Sequence, residues 1–211
     1  MGIYGGVRAP DRVAARRERL LEAALDLLGT EGWQATTVRA ICANARLTPR
    51  YFYESFADRD ELLVALFDEL VAEAAGRVLE AVGTAEDDAR AKARAAIGAF
   101  VELVTDDPRK ARVLFIEAIG SERLTLRRFE TVRMFAGLVA AQGREFYGID
   151  GGSLPDTTAL MLVGGLAETL LSWLDGTLAV TREQLIEDCT DLFVIMGEGA
   201  SGMLRLHARP D

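Results

Sequence analysis

Thr48, Pro49, Arg50, Tyr51 and Tyr53 crowd one short stretch, "LTPRYFYESFADRDELL" (residues 47–63). Thr48, Arg50 and Tyr51 are residue types that donate to base edges or lie against thymine methyl groups. Tyr53 can hold a phosphate oxygen, as can the amide ends of neighbouring helices. Polar and aromatic side chains packed this densely are costly in a core. The segment therefore reads as a short helix presented to something large and charged. The plainer alternative is a small packing helix, which accounts for Phe52 and Phe56. These inward candidates are not the outward ones, so both readings hold at once for different residues.

Other chemistries find little support. The single histidine, His207, lies in a polar tail, and no histidine–cysteine–carboxylate set has the spacing of a zinc site. No nucleophile–base pair can be assembled without a histidine inside the fold. Carboxylate catalysis on an all-helical scaffold is the remaining enzymatic option, and nothing points to it. "GEGASG" (197–202) has the glycine spacing of a dinucleotide fingerprint but follows a helical stripe, so it reads as a frayed helix end. Cys42 and Cys189 fall within helical patterns and read as reduced core thiols. No cofactor and no metal is expected.

The elements around the polar-aromatic segment follow from apolar spacing. Residues 1–10, with Gly2, Gly5, Gly6 and Pro10, read as a flexible arm. From Asp11 a first helix places Leu21, Ala24, Leu25 and Leu28 on one face and stops near "GTEGW". Thr36 is the expected N-cap of a second helix over residues 37–43, with Val38 and Ile41 inward. The turn "NARL" leads to a third helix starting at Thr48 and Pro49, where a missing N–H loses nothing. In "ADRDELL", Asp58 and Glu61 form a capping-box pattern ahead of Leu62, Leu63, Leu66, Phe67 and Leu70, which opens a long fourth helix.

Five further helices are expected. The fifth carries Ile97, Phe100, Val101 and Val104. A sixth starts after "TDDP" and runs through Val113, Leu114, Ile116 and Ile119. The seventh spans 124–146 and the eighth 156–174. The ninth, which Thr181 can cap, carries Leu185, Cys189, Leu192, Phe193 and Met196. The class is all-α, about nine helices. Residues 11–57 form a small helix-turn-helix unit and 58–204 a larger helical domain.

Composition fits this division. The chain of 211 residues has a net charge of −9, which argues against indiscriminate nucleic-acid binding. Residues 1–60 carry nine Arg against eight Asp and Glu, and the remainder carries fifteen basic against twenty-five acidic residues. Arg8, Arg12, Arg16, Arg17 and Arg19 crowd the beginning, either to reach DNA or as a solvated arm. No apolar run is expected to reach the ~18 residues of a membrane span. The start lacks an apolar signal core, so cytoplasm is the expected location.

"TTVRAICANARLTPRYFYESFADRDELL" resembles the DNA-binding region of the TetR family of transcriptional regulators. Thr36, Thr37, Val38, Ile41, Ala45, Phe52, Tyr53, Phe56 and Leu62 fall on that family's small, apolar and aromatic markers. The resemblance is sharp over about residues 14–70 and rests on helix count and order beyond them. Two departures stand out. Arg46 occupies the turn where the family usually has Gly, which implies a strained left-handed residue or a tighter turn. Ser55 and Arg59 stand where His and Lys are common.

The resemblance implies a DNA-binding transcriptional regulator and not an enzyme, most often a repressor on a palindromic operator. Base contacts are expected from Thr48, Pro49, Arg50 and Tyr51, and phosphate contacts from Thr37, Tyr53 and Arg59. It further implies a homodimer through helices eight and nine, which are apolar on more than one face. A small amphipathic or cationic effector is expected in the C-terminal domain, with Phe100, Val104, Phe115, Glu117, Phe129, Phe135, Glu168 and Trp173 as pocket candidates. Glu117 and Glu168 lie in the apolar stretches "VLFIEAI" and "GGLAETLLSWL". For these two, a salt bridge to Arg112 or Arg133, or exposure at a helix edge, is the competing role. The alternative function is a helical ligand-binding or interaction protein without DNA binding.

Overall fold

A computed structural model describes residues 9–119, 121–148 and 152–207. Among the described residues the chain is all-α. The helices are α1 (Ala9–Thr30), α2 (Val38–Asn44), α3 (Pro49–Tyr53), α4 (Arg59–Thr84), α5 (Ala89–Asp106), α6 (Pro108–Ala111), α7 (Glu122–Tyr147), α8 (Leu154–Leu174) and α9 (Arg182–His207). Two compact units divide it: residues up to 72 with 107–127, and residues 73–106 with those from 128 onward. The division thus falls within α4 and α7, and it assigns residues 107–127 to the N-terminal unit.

In the first unit, Leu20, Ala24 and Leu28 of α1 are buried with Ile41 of α2, Phe52 of α3 and Leu62 and Leu63 of α4. Burial of each large apolar side chain stabilises by roughly 1.5–3 kcal/mol. Phe56 joins them, its ring centroid 5.9 Å from that of Phe52. The long α4 starts as its capping pattern dictates. Glu61 N–H donates to Asp58 Oδ1 at 2.7 Å, and Ala57 N–H donates to Glu61 Oε2 at 2.6 Å.

Three local expectations need correction. The N-cap of α2 is Thr37, which accepts from Ala40 N–H at 3.1 Å. Thr36 is instead buried and donates to Gly32 O at 2.8 Å, because the turn before α2 carries it inward. The first helix begins at Ala9, with Pro10 in its first turn; residues 1–8 of the expected arm, Arg8 included, lie outside the described residues. The sixth helix is only Pro108–Ala111, followed by a π-helical turn, Arg112–Ile116, and a 3-10 turn, Glu117–Ile119. In a regular α-helix Arg112 and Glu117 would point about 140° apart. The wider turn brings Arg112 Nε to 2.9 Å from Glu117 Oε1.

This segment packs on α1. A Cβ at Gly29 would sit 2.4 Å from Arg109 Cβ, so glycine permits the close approach. Arg112 Nη1 donates to Thr30 O at 2.8 Å, and Trp33 N–H donates to Glu117 Oε2 at 2.9 Å. Val113, Leu114 and Phe115 are buried in the same unit.

In the second unit α5 and α8 both pack against α9. Ile97, Val101, Leu103 and Val104 of α5 are buried, as are Leu185, Ile186 and Cys189 of α9. Arg90 and Arg94 both pair with Glu187 across the α5–α9 seam. "GEGASG" is a regular part of α9 and not a frayed end. A Cβ at Gly197 would lie 2.9 Å from the Tyr147 hydroxyl, so the bare glycine leaves room for the Tyr147 side chain against α9. Cys42 and Cys189 are buried free thiols, and burial pushes both thiols up from their ordinary pKa.

Helix α8 revises one more expectation. Its 21 residues, with a mean hydropathy of 1.4 in the most apolar window, are long and apolar enough to cross a membrane by length and composition. Leu160 and Met161 on this helix are exposed.

Candidate nucleic-acid interface and effector cavity

The helix-turn-helix is built by α2, the turn 45–48 and α3. Leu47 N–H donates to Cys42 O at 2.9 Å and Arg46 N–H to Ala43 O at 3.1 Å, the paired bonds of a Schellman ending. The residue between the helical and extended parts must then be left-handed, and Arg46 is, with φ of +53°. Of the two readings of this departure from Gly, the strained left-handed one holds. Arg19 of α1 donates to Ala45 O and so satisfies another carbonyl at the end of α2.

With α2 fixed this way, α3 turns one side in and the other out. Phe52 is fully buried. Thr48, Pro49 and Arg50 are exposed at the other side, the Arg50 side chain to 85%. Tyr53 is 61% exposed, its ring edge-on to Phe52 at 5.3 Å between centroids. Tyr51 is only half-buried, and the Arg16 guanidinium of α1 covers its ring at 4.5 Å. Thr37 is exposed; its oxygen accepts from Ala40, which leaves its own O–H free to donate. Arg59 lies over the Trp33 ring at 4.1 Å, with its Nε 3.7 Å from Asp60 Oδ1.

Glu54 is the residue that the sequence reading missed. One of its oxygens faces Arg50 Nε at 3.4 Å and the other accepts from Arg16 Nη2 at 3.2 Å. The i,i+4 spacing from Arg50 carried that signal; the partner on α1 did not show in local sequence. Arg39 and Arg46, also unlisted among the expected contacts, are exposed on the same small unit.

The second unit holds a cavity of about 290 Å³. Val78 and Val82 of α4, Ala93 and Ala96 of α5, Phe135 and Val139 of α7, Leu162 of α8 and Phe193 of α9 give it apolar walls. Phe135 is therefore a wall residue, and the other pocket candidates are elsewhere. Val104 is buried in the α5 core and Phe100 half-buried. Phe115 and Glu117 belong to the first unit, where Glu117 is occupied by Arg112 and Trp33. Glu168 and Phe129 are exposed. Trp173 donates through its indole N–H to Val180 O at 3.0 Å, closing the loop after α8. Among the described lining residues there is thus neither Glu117 nor Glu168, because both took the competing roles: Glu117 the salt bridge, Glu168 exposure.

Solved structures share the all-α fold over most of the chain. A protein assigned as a transcriptional regulator from Pseudomonas aeruginosa PAO1 superposes with a TM-score of 0.74 at 20% identity, over 94% of this chain and 96% of that one. The fatty acid degradation regulator FadR from Bacillus halodurans gives 0.71 at 18% identity, over 84% and 94%. The transcriptional regulator FadR from Bacillus subtilis, solved in complex with stearoyl-CoA, gives 0.68 at 18% identity, over 86% and 98%. At these identities the likeness is one of fold. The family model of bacterial regulatory proteins of the tetR family matches residues 20–66, from the middle of α1 into α4. Over these residues the chain is similar to the bacterial regulatory proteins of the tetR family.

Proposed function

We propose that the chain is a sequence-specific DNA-binding transcriptional regulator, a homodimeric repressor released from a palindromic operator by a small amphipathic effector. The observation that carries this reading is α3. Its inward residue, Phe52, is fully buried while Thr48, Pro49 and Arg50 project outward, on a segment that matches the family's DNA-binding domain. A helix offered in this way fits the major groove. Thr48, Pro49, Arg50 and Tyr51 read bases. Thr37, Tyr53 and Arg59 hold phosphates, Arg59 with its guanidinium over the Trp33 ring.

A second copy of the chain covers the exposed apolar faces of α8 and α9. Leu192, Ile195, Met203 and Leu206 of α9 are each more than half exposed, at spacings that share one helical face, and Leu160 and Met161 lie exposed on α8. A symmetric dimer buries them and accounts for the apolar length of α8 without a membrane.

The effector occupies the cavity of the second unit. In the Bacillus subtilis FadR structure the bound molecule is stearoyl-CoA, itself an amphiphile. For release, the effector must favour the DNA-incompetent arrangement over the competent one, since equal affinity shifts nothing. Helix α4 contributes buried Leu62 and Leu66 to the first unit's core and Val78 and Val82 to the cavity wall. One continuous helix is thus the natural lever.

Selection of duplexes from a random pool tests the reading. It predicts enrichment of a two-fold symmetric site, bound with a steep salt dependence from phosphate contacts. Absence of any enriched site from a folded, dimeric protein leaves instead a ligand-binding protein that does not recognise DNA.

A further inference from the structure

Among the described residues, the cavity's lining carries one charged side chain, and its position names a ligand class. Lys92 of α5 stands among walls that are otherwise apolar apart from Gln142, Tyr147 and Thr158. Its stem is mostly covered, with a side-chain exposure of 25%, and its ammonium pairs with Asp87, which at 92% exposure is almost wholly in water. A lysine held this way presents its head at the boundary between an apolar void and solvent. The exposed Asp87 is an easily exchanged partner, since ion pairs in water are worth little.

Resting on the effector reading above, we propose that the cavity binds a medium-chain carboxylate, its alkyl chain among Val78, Val139 and Leu162 and its single negative charge on Lys92. Three observations fix this choice. First, among the described lining residues there is no carboxylate to meet a cationic head. Second, about 290 Å³ lies at the small end of the ~300–1,000 Å³ of ligand pockets, which suits a medium chain rather than a long one. Third, Asp87 at Lys92 and the carboxylates acting on Tyr147 make a negative surround that disfavours a head with several negative charges. Burial pushes the Tyr147 hydroxyl of the lining up from its ordinary pKa, and the charges of Glu198 and Asp88 add to that push; both carboxylates would repel a polyphosphate head. A free carboxylate fits where a coenzyme A ester does not.

Calorimetry on the full chain tests this with decanoate, decan-1-ol, decylammonium, palmitate and decanoyl-CoA as probes. The expected result is that decanoate binds about tenfold or more tightly than decanol, from the charge-assisted contact, and that decylammonium and decanoyl-CoA bind more weakly still. Lys92→Met should bring decanoate down to the level of decanol while leaving decanol unchanged. Ala93→Trp, with its helicity checked by circular dichroism, should abolish both by filling the void. Equal affinity for decanoate and decanol, a preference for decylammonium, or a decanoate preference that survives Lys92→Met would each overturn the proposal. Palmitate binding much more tightly than decanoate would overturn the chain length. These titrations need no DNA, so they fail or succeed independently of operator recognition.

Discussion

The guanidinium of Arg16 on α1 lies 4.5 Å from the ring centroid of Tyr51 on α3. The same side chain reaches Glu54 Oε2 at 3.2 Å, and the other oxygen of Glu54 faces Arg50. A helix of five residues has no stability of its own, so beyond the turn from α2 and the buried Phe52, α1 helps set the direction in which α3 points its outward residues.

Arg16→Ala should therefore loosen α3. A part-exposed cation–π contact and a surface ion pair together stabilise by roughly 1 kcal/mol. Amide hydrogen exchange across residues 48–54 should accelerate and duplex affinity should fall. Unchanged exchange in the variant would show that α3 is held by Phe52 alone.

Arg46→Gly tests the turn. A non-glycine residue at φ of +53° carries a conformational cost of about 1 kcal/mol, part of which glycine returns through a freer unfolded chain. The variant should be equally stable or more stable by up to about 1 kcal/mol in urea denaturation. A clear loss of stability would mean that the arginine side chain contributes more than its backbone costs.

Glu117→Ala should be among the more damaging single changes in the first unit. It removes the acceptor for Trp33 N–H and the partner of Arg112 together. Hydrogen bonds to a charged group contribute roughly 1.5–3 kcal/mol, and urea denaturation should register a loss in that range. A loss below about 0.5 kcal/mol would contradict the structural role given to this glutamate.

Asp107 gives a pH signature. Hydrogen bonds from the Arg109 side chain hold its carboxyl below the ordinary value of 3.8, against the opposing effect of burial. A depressed folded-state pKa contributes stability that is present above 3.8 and is lost as pH falls through the lower folded value. Asp107→Asn should therefore be less stable than the wild-type chain near neutrality, and the gap should narrow in acid below 3.8. A gap independent of pH between neutrality and strong acid would rule out this linkage.

What could be read from sequence was what is decided locally. Asp58 and Glu61 bond within one turn of each other, so α4's start was visible in four letters. Phe52 facing in and Arg50 facing out followed from helical spacing. Thr36 and Thr37 are equivalent as letters; which one caps α2 depends on how Gly32 turns the chain. The pairing of Glu117 with Arg112 was among its readable roles, being local, whereas its bond to Trp33 was not, because Trp33 is 84 residues away. The same distance hid the break in the sixth helix, since the π-helical turn serves a contact with α1 that local propensity does not encode. The cavity was legible only through Phe135; Lys92 drew no notice because an exposed-looking lysine in a helix has no local mark.

The central claim is that the outward face of α3 reads DNA sequence. Footprinting on duplexes flanking the protein's own gene, with wild-type chain and Arg50→Ala side by side, tests it most directly. A protected palindrome that the variant binds more weakly by about 1–3 kcal/mol, with non-specific affinity much less affected, is the expected result. Equal protection by both proteins, or no protected site from a folded dimer, would contradict it.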